Sequence, residues 1–378
     1  MSPSKQLVIK IIKIIITVAS KLSCCTKEDI IIFRYDEIGD WLLWLNAAST
    51  IREHYPKEKY RIILFCKPAN LELSRSCPFW DEVIPFCITS YKSRLLYRLK
   101  LIWKLLKVDI IINPVLNRTI TVDQLIGYSG AKERIGVDVS TDQIFYRTES
   151  ERSYGNSFYT KLYSLDLKQH MLDINADFAL GISGKECNHS PNSLEFLKIV
   201  HPEFRNYILI VPGAGSPKRC WQPDKFSEIM NRILSIQPES KVVMSGTFDD
   251  IERSTTISRS IDYDEKIINL CGKTNLLELC GLISNASLII TNESGALHLA
   301  ACYKTPSVCI LGGGHFNLFH PYPKELSETI NSKAVYSKMP CFNCNWHCFQ
   351  NPYIIEPYPC ISRISVESVW QEVESILI

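Results

Sequence analysis

Residues 287–301 read SLIITNESGALHLAA, and this stretch indicates the fold class. The apolar run Ser287–Ile290 is predicted to be a strand, and a helix is predicted to open at Ser294 and Gly295 after a short polar turn. A buried strand that leads through a tight turn into a helix is typical of a parallel α/β sheet. The fold class predicted from this stretch is therefore α/β.

The same turn is a candidate anion site. Free backbone N–H groups and the positive end of the helix dipole meet at its first residues, which suits a phosphate. Gly295 would allow a ligand to approach the backbone closely. Polar groups around it come from Asn292, Glu293 and His298. The alternative is an ordinary strand-to-helix turn that binds nothing, which many α/β proteins contain.

Short apolar runs alternate with helical stretches on both sides of this segment, as expected for parallel sheets with crossover helices. Two such halves are separated by the turn-rich stretch 181–192, and a short helix is expected near Ser193–Val200. Two halves of this kind predict a ligand near the carboxyl ends of the strands. Predicted strands are 30–33, 61–65, 82–84, 109–112, 207–211, 241–244, 267–270, 287–290 and 307–311; predicted helices are 40–54, 91–107, 223–234, 275–283 and 294–302.

Length and composition bound the class of protein. The 378 residues are enough for two domains, and 46% hydrophobic with 22% charged residues is typical of a soluble globular protein. A net charge of +2 argues against a general nucleic-acid binder. The fifteen cysteines fall short of the density of a disulfide scaffold, and no secretory signal is evident. We therefore expect a cytoplasmic protein with mostly buried, reduced thiols.

The N-terminal residues 1–24 predict a basic amphipathic helix. Lys10, Lys13, Thr17 and Lys21 recur at helical spacing, and isoleucines cover most of the remaining surface. The run is too short and too charged to span a bilayer, so it suits the surface of an anionic leaflet. The alternative is a helix packed on the protein surface.

Two further segments could serve the same ligand. Asp40, in the stretch FRYDEIGD (33–40), follows the first strand and could act as a general base, or it could simply cap a helix. The loop VPGAGSPKRCW (211–221) combines small residues, which admit a phosphate, with the cations Lys218 and Arg219. It lacks the residue order of a Walker loop, and taken alone it could be a solvated polar loop.

Together, in this order, the three segments resemble glycosyltransferase family 9, the ADP-heptose:lipopolysaccharide heptosyltransferases. The resemblance rests on Ile38-Gly39-Asp40, on the Pro-Gly-Ala loop with its basic residues and Trp221, and on the Ser-Gly-x-x-His-Leu-Ala element. The stretches 108–113 and 129–136 also match the family pattern.

The resemblance implies a GT-B architecture, in which two Rossmann-like domains face each other across a central cleft. It also implies an inverting transfer of a sugar, heptose in that family, from a nucleotide-diphosphate donor to a lipopolysaccharide or related lipid-linked glycan. The resemblance further implies that catalysis requires no metal or other cofactor. The implied domains are an N-terminal acceptor domain over 25–185, a C-terminal nucleotide-sugar domain over 200–365 and a closing helix over 366–378.

The site residues carry over by position. Asp40 would be the general base that activates the acceptor hydroxyl, and Lys218 or Arg219 would neutralise the leaving diphosphate. The diphosphate would also contact Ser294 and Gly295. The remaining residues assigned to the donor are Gly213, Ser216, Glu293 and His298. The implied location is cytoplasmic, on the inner face of the membrane, with an anionic membrane surface as partner and no nucleic acid.

Two departures from the family pattern bear on the donor. Glu293 stands where the family usually has Asp, at a position thought to touch the donor sugar, so a different sugar is possible. The usual Lys lies two residues before the Trp, where this chain has Arg219, and Lys218 lies one residue earlier. The alternatives are another GT-B nucleotide-sugar enzyme, including an epimerase, or a catalytically silent nucleotide-sugar-binding protein.

A cysteine cluster near the C-terminus is a separate candidate site. Cys341, Cys344, Cys348 and Cys360 have the spacing of ligands to a structural zinc or an iron–sulfur centre. Disulfides and free thiols are the alternatives.

Overall fold

The computed structural model describes residues 27–138, 148–350 and 356–378. The predicted amphipathic helix over residues 1–24 lies outside the described residues. The chain forms two compact units. The first contains the described parts of Met1–Glu37 and Asn46–Asp166, with Ile174–Asn188; the second contains Ile38–Leu45, Leu167–Asp173 and the described parts of His189–Ile378.

The first sheet is parallel and has the strand order β3-β2-β1-β4-β5-β6. This is the order of the doubly wound Rossmann fold. Its strands are β1 Glu28–Arg34, β2 Tyr60–Cys66, β3 Glu82–Pro85, β4 Ile110–Asn113, β5 Glu133–Asp138 and β6 Lys161–Ser164. The helices up to residue 183 are α1 Ile38–His54, α2 Leu71–Ser76, α3 Ile88–Ser93, α4 Leu95–Leu105, α5 Ile120–Gly127, α6 Glu149–Asn156 and α7 Met171–Ser183.

The second sheet repeats this plan, with the parallel order β12-β11-β10-β7-β8-β9. Its strands are β7 Tyr207–Val211, β8 Lys241–Met244, β9 Ile267–Asn269, β10 Leu288–Asn292, β11 Ser307–Ile310 and β12 Ser332–Val335. The helices are α8 Pro223–Ile236, α9 Ile251–Ser258, α10 Leu276–Asn285, α11 Gly295–Tyr303, α12 Ser327–Ile330, α13 Pro359–Ser362 and α14 Val366–Leu377.

The central strands are apolar on both faces because helices cover both sides of each sheet. In β1 and β7 the side chains of Ile30, Ile31, Tyr207 and Ile208 are fully buried. Continuous apolar runs of this kind, rather than alternating ones, are what the sequence shows at these positions. The nine predicted strands are confirmed, with ends within two residues of their predicted positions.

Several sequence predictions were wrong or incomplete. The expected helix near Ser193–Val200 is a turn, in which the buried Leu194 and Leu197 are joined by one backbone hydrogen bond. The expected helix over 91–107 is broken at Arg94, which is extended (φ −111°, ψ 108°). Strands β5, β6 and β12 had not been predicted. Among the described residues, no helix is long and apolar enough to cross a membrane.

Candidate active site

The candidate site lies at the carboxyl ends of β7 and β10, which pair in parallel with Thr291 opposite Val211. The strand order of the second sheet reverses at this pair, and ligands of open α/β sheets bind at such a point. The two loops that leave these strands are Pro212–Cys220 and the turn at Glu293 and Ser294. The sequence had assigned both to the same ligand, and the fold brings them together.

Asn292 joins the two loops. Its side chain is fully buried, and its Nδ2 donates to the carbonyl oxygen of Pro212 at 2.6 Å. Its Oδ1 accepts from the backbone N–H of Trp221 at 3.0 Å. The loop Pro212–Cys220, which follows β7, is thus held at both its ends by one amide side chain. The sequence had indicated Asn292 only as a polar group near the turn, because nothing local reveals partners some seventy to eighty residues away.

The turn after β10 has the expected helix N-terminus. Ser294 is the N-cap of α11, and its side chain makes no capping hydrogen bond. Its hydroxyl lies instead 3.2 Å from that of Thr291. Because the N-cap side chain does not take up the first-turn N–H groups, the positive end of the helix can serve an anionic ligand.

Gly39 and Gly295 allow two segments of the second unit to approach closely. A Cβ on Gly295 would collide with the Cγ2 of Ile38, and a Cβ on Gly39 would lie 2.9 Å from the Cδ2 of His298. The Ile38–Gly39 backbone therefore packs on the start of α11. The residue type is needed here for close approach, and both glycines belong to the motifs that the sequence singled out.

Asp40 follows directly in this packed segment. It is the third residue of α1, half-buried in the first helical turn, and the N-cap is Glu37. The alternative that Asp40 is the helix cap is therefore wrong. A carboxylate in the first turn is also favoured by the helix dipole, which stabilises its charged form.

His298 lies one turn into α11 and is 5% exposed. Its Nδ1 and the hydroxyl of Tyr322 are 2.7 Å apart, and either atom can be the donor. Burial, together with the nearby His170, lowers the pKa of His298 to about 3. The ring is therefore neutral at physiological pH, so it can offer a hydrogen bond to a ligand but no positive charge.

Arg219 and Glu293 form an ion pair inside the site, with Nη2 and Oε2 3.5 Å apart. The Arg219 Nη2 also donates to the backbone oxygen of Glu293 at 3.4 Å. Glu293 is 5% exposed, and its burial raises the pKa of this carboxyl, while Arg219 acts in the opposite direction. The carboxylate of Glu293 thus holds the guanidinium of Arg219 beside the N-terminus of α11. The sequence had placed both residues in the site without indicating that they pair.

The indole of Trp346 covers the other side of Arg219. The guanidinium carbon lies 4.3 Å from the ring centroid, which is a cation–π contact. Trp346 stacks in turn on Tyr358, whose backbone N–H donates to the carbonyl oxygen of Lys218 at 2.8 Å. The cysteine-rich segment therefore packs on the loop Pro212–Cys220. No sequence signal had indicated this.

Gly213 and Ser216 occupy the same loop. A Cβ on Gly213 would collide with the carboxylate of Asp250, which reaches across from the turn after β8. Ser216 accepts a backbone hydrogen bond from Arg219 at 2.9 Å and begins the short 3-10 turn Pro217–Arg219. That turn sets the position of the two cations.

The four cysteines of the C-terminal cluster line one cavity of about 10 Å³, together with Gly313, Met339, Phe342, Trp346 and Tyr358. All four are free thiols. Burial, and then the neighbouring thiols, raises the pKa of Cys360 to about 11. In the described parts of the chain, no group of three or more His, Cys, Asp or Glu is arranged as a metal site as the side chains stand.

Two Rossmann-type sheets of equal strand order match the GT-B architecture. Residues 125–348 match the model of glycosyltransferase family 9 (heptosyltransferase). The chain belongs to this family and is a glycosyltransferase.

Individual relatives agree with this assignment. The lipooligosaccharide heptosyltransferase 2 of Campylobacter jejuni is 23% identical over 90% of this chain and 95% of its own. The structure of the Escherichia coli ADP-heptose lipopolysaccharide heptosyltransferase II shares the fold, with a TM-score of 0.68, 18% identity, and 92% and 98% of the two chains covered. The dodecameric iron-containing heptosyltransferase TibC, solved with ADP-D-beta-D-heptose, has a TM-score of 0.56, 15% identity and coverage of 93% and 78%.

Proposed function

We propose that this protein transfers heptose from an ADP-activated donor to a lipopolysaccharide or lipooligosaccharide acceptor, with inversion and without a catalytic metal. Family membership and the names of the relatives support the sugar and the acceptor. The observation that carries the proposal is the meeting of Arg219, Lys218 and the N-terminus of α11 at one strand pair. These groups can receive the charge of a leaving diphosphate in the way that Mg²⁺ does elsewhere.

In this proposal Asp40 takes the proton from the acceptor hydroxyl as its oxygen attacks the anomeric carbon. The sugar–phosphate bond breaks, and the ADP oxygen that leaves carries the new negative charge. Arg219 is preorganised for the departure of ADP because Glu293 and Trp346 both contact its guanidinium. Cations that are already in place need no reorganisation as charge develops. Of the other assigned residues, Ser294 and Gly295 would supply donors from the helix start, and Gly213 and Ser216 would shape the loop.

The test uses ADP-heptose and a lipopolysaccharide acceptor that lacks heptose, with release of ADP as the readout. Asp40→Asn keeps the size of the side chain but removes its basicity, so turnover should fall by about 10²–10⁴ while ADP-heptose affinity is unchanged. Normal turnover in that variant would refute the role of Asp40. The wild-type product should have inverted anomeric configuration by NMR, and a chelator should leave the rate unchanged.

A second candidate is a transferase with the same chemistry and a different sugar. The observation that favours it concerns Glu293. Its side chain is longer than the family's usual aspartate and forms an ion pair with Arg219. A panel of nucleotide sugars in a thermal-shift assay separates the two, since a ligand at a hundred times its Kd stabilises by about 2.7 kcal/mol. A hexose donor that stabilises more than ADP-heptose would favour the second candidate.

We also propose that Cys341, Cys344, Cys348 and Cys360 hold a structural metal centre, either zinc or iron–sulfur. The cavity that they share has room for about one ion, and a bound cation would draw the protons off these thiols and hold them as thiolates. The iron content of TibC supports the idea. Metal analysis of protein purified without chelator should find one metal centre per chain, lost in Cys344→Ser. Metal-free wild-type protein with an unchanged melting temperature would refute it.

Finally, we propose a cytoplasmic location on the inner face of the membrane, because the acceptor is lipid-linked. The basic pattern of residues 1–24 supports it. Removing these residues should reduce co-sedimentation with anionic vesicles and leave ADP-heptose binding intact. Equal co-sedimentation of the shortened chain would remove this segment from the anchor.

A further inference from the structure

Helix α4, in the first unit, has an apolar outer face. Leu95 is 63% exposed, Leu96 82%, Leu99 45% and Trp103 48%. The opposite face packs into the core of the unit through Leu101 and Leu105, which are buried. An exposed apolar stripe on a helix whose opposite face is already buried calls for a partner.

The exposed apolar residues form one stripe. Leu95, Leu99 and Trp103 follow each other at intervals of four residues, and Leu96 lies beside them at three residues from Leu99. Single exposed apolar side chains are ordinary on protein surfaces, but a contiguous group rimmed by charge marks a docking surface. We call residues 92–107 the α4 surface.

The rim of the α4 surface is entirely basic. Between Glu82 and Asp109 the sequence has six Lys or Arg and no Asp or Glu. Arg98 packs on Tyr91, and Lys104 pairs with Glu82. The four other cations form no ion pair with any described residue, and all four are exposed: Lys92, Arg94, Lys100 and Lys107.

We propose that the α4 surface docks on an anionic lipid bilayer, with the leucines and Trp103 at the acyl boundary and the cations at the headgroups. Exposed leucines with a tryptophan suit the acyl boundary, while unpaired lysines and arginines attract anionic lipid. A symmetric contact between two copies would bring these like charges together, which is unfavourable. Nucleic acid would leave the leucines in water. The inference extends the proposed function, since it says which surface meets the membrane that carries the acceptor.

Vesicle titration of the full-length protein tests the charges and the apolar stripe separately. Each cation near an anionic surface contributes a factor of about five to binding. Lys92→Ser/Lys100→Ser should therefore weaken binding to phosphatidylglycerol-containing vesicles by about 25-fold, with less effect at high salt. Leu96→Gln/Leu99→Gln should weaken it by at least about tenfold at every salt concentration. The matched controls are Lys185→Ser/Lys241→Ser and Val200→Gln/Ile236→Gln, which change exposed residues elsewhere.

Trp103 offers a direct readout on the wild-type protein, so the test does not depend on variant folding. Of the seven tryptophans it is the exposed one; Trp346 is half-buried and the others are buried. Vesicles with brominated acyl chains should quench a fraction of the fluorescence, and this fraction should be lost in Trp103→Phe. Quenching that is the same in Trp103→Phe would overturn the proposal.

Other outcomes would also overturn it. They are equal vesicle binding by the α4 variants and their controls, a halved sedimenting mass in the variants, and a loss of affinity for DNA without a loss of affinity for vesicles. ADP-heptose binding is measured on every variant, because it should not change. Failure of the wild-type protein to bind any nucleotide sugar would refute the proposed function and leave the result on the surface standing.

Discussion

The guanidinium carbon of Arg219 lies 4.3 Å from the centroid of the Trp346 ring, and Glu293 holds the same guanidinium from another side at 3.5 Å. Arg219 belongs to the loop Pro212–Cys220, whereas Trp346 lies between Cys344 and Cys348 of the cysteine cluster. The cluster therefore supports the cation that we assign to the diphosphate. A metal bound there would stabilise this support without taking part in the reaction.

Replacing Trp346 should weaken ADP binding through Arg219. A cation–π contact is worth about 0.5–2 kcal/mol, so Trp346→Leu should raise the Kd for ADP by about 2- to 30-fold, measured by calorimetry. Trp346→Phe keeps an aromatic face and should show a smaller loss. Trp103→Leu is the matched control. It also removes a cation–π contact, because Lys107 Nζ lies 4.9 Å from the centroid of the Trp103 ring, but Trp103 is far along the chain from the loop Pro212–Cys220. An equal loss in both leucine variants would contradict the assignment.

The two loop cations should act on the diphosphate and not on the nucleoside. Lys218→Ala/Arg219→Ala should weaken binding of ADP strongly and binding of adenosine little, because only the diphosphate is charged. The single variants then show which cation dominates. We expect Arg219, because it is held by two partners while Lys218 is held only through its backbone. If ADP and adenosine lose affinity equally, the cations contact another part of the ligand.

Glu293 is expected to influence the choice of sugar. Glu293→Asp keeps the charge that pairs with Arg219 but draws it back by one methylene, so the ranking of donor sugars should change more than the affinity for ADP. Turnover with a panel of nucleotide sugars measures this. Glu293→Gln serves as the charge control: it keeps the side-chain length but loses the ion pair with Arg219, so it should weaken ADP binding. An unchanged ranking in Glu293→Asp would remove the residue from the sugar pocket.

The buried His298 should make stability depend on acid. The pKa of His298 is lowered to about 3 in the folded protein, whereas an ordinary histidine titrates near 6.5. Below pH 6.5 the unfolded chain therefore binds a proton at His298 that the folded chain does not bind. The contribution of the neutral, buried His298 to the free energy of unfolding is fully present above pH 6.5. It is lost as the pH falls from 6.5 towards 3.

The measurement compares wild type with His298→Gln by urea unfolding at pH 7.5 and pH 5. The difference in free energy of unfolding between the two proteins should shrink by about 2 kcal/mol at the lower pH, because the variant has lost this titration. Burial also lowers the pKa values of His170 and His320, so the wild-type curve reflects all three. A difference that is independent of pH would show that His298 is accessible to protons in the folded state.

Much of the fold could be predicted because its physics is local. A parallel strand buried on both faces needs a continuous apolar run, as at Tyr207–Val211, and the turn that follows needs small or polar residues. Two of the four edge strands, β6 and β12, were missed because they are partly exposed and mix polar with apolar residues. The prediction of one helix over 91–107 missed the break at Arg94, because no Gly or Pro marks it in the sequence.

For the site, the sequence by itself determined the residue types and their order: a carboxylate after the first strand, two cations after β7, and a serine–glycine helix start after β10. Tertiary structure alone decided how these groups are held. Asn292 joins the two loops, Ile38 packs on Gly295, and Trp346 covers Arg219. Each of these contacts joins segments distant in the chain. Such contacts depend on which strands pair and on how side chains pack at the strand ends, and no local pattern of residues encodes this long-range packing.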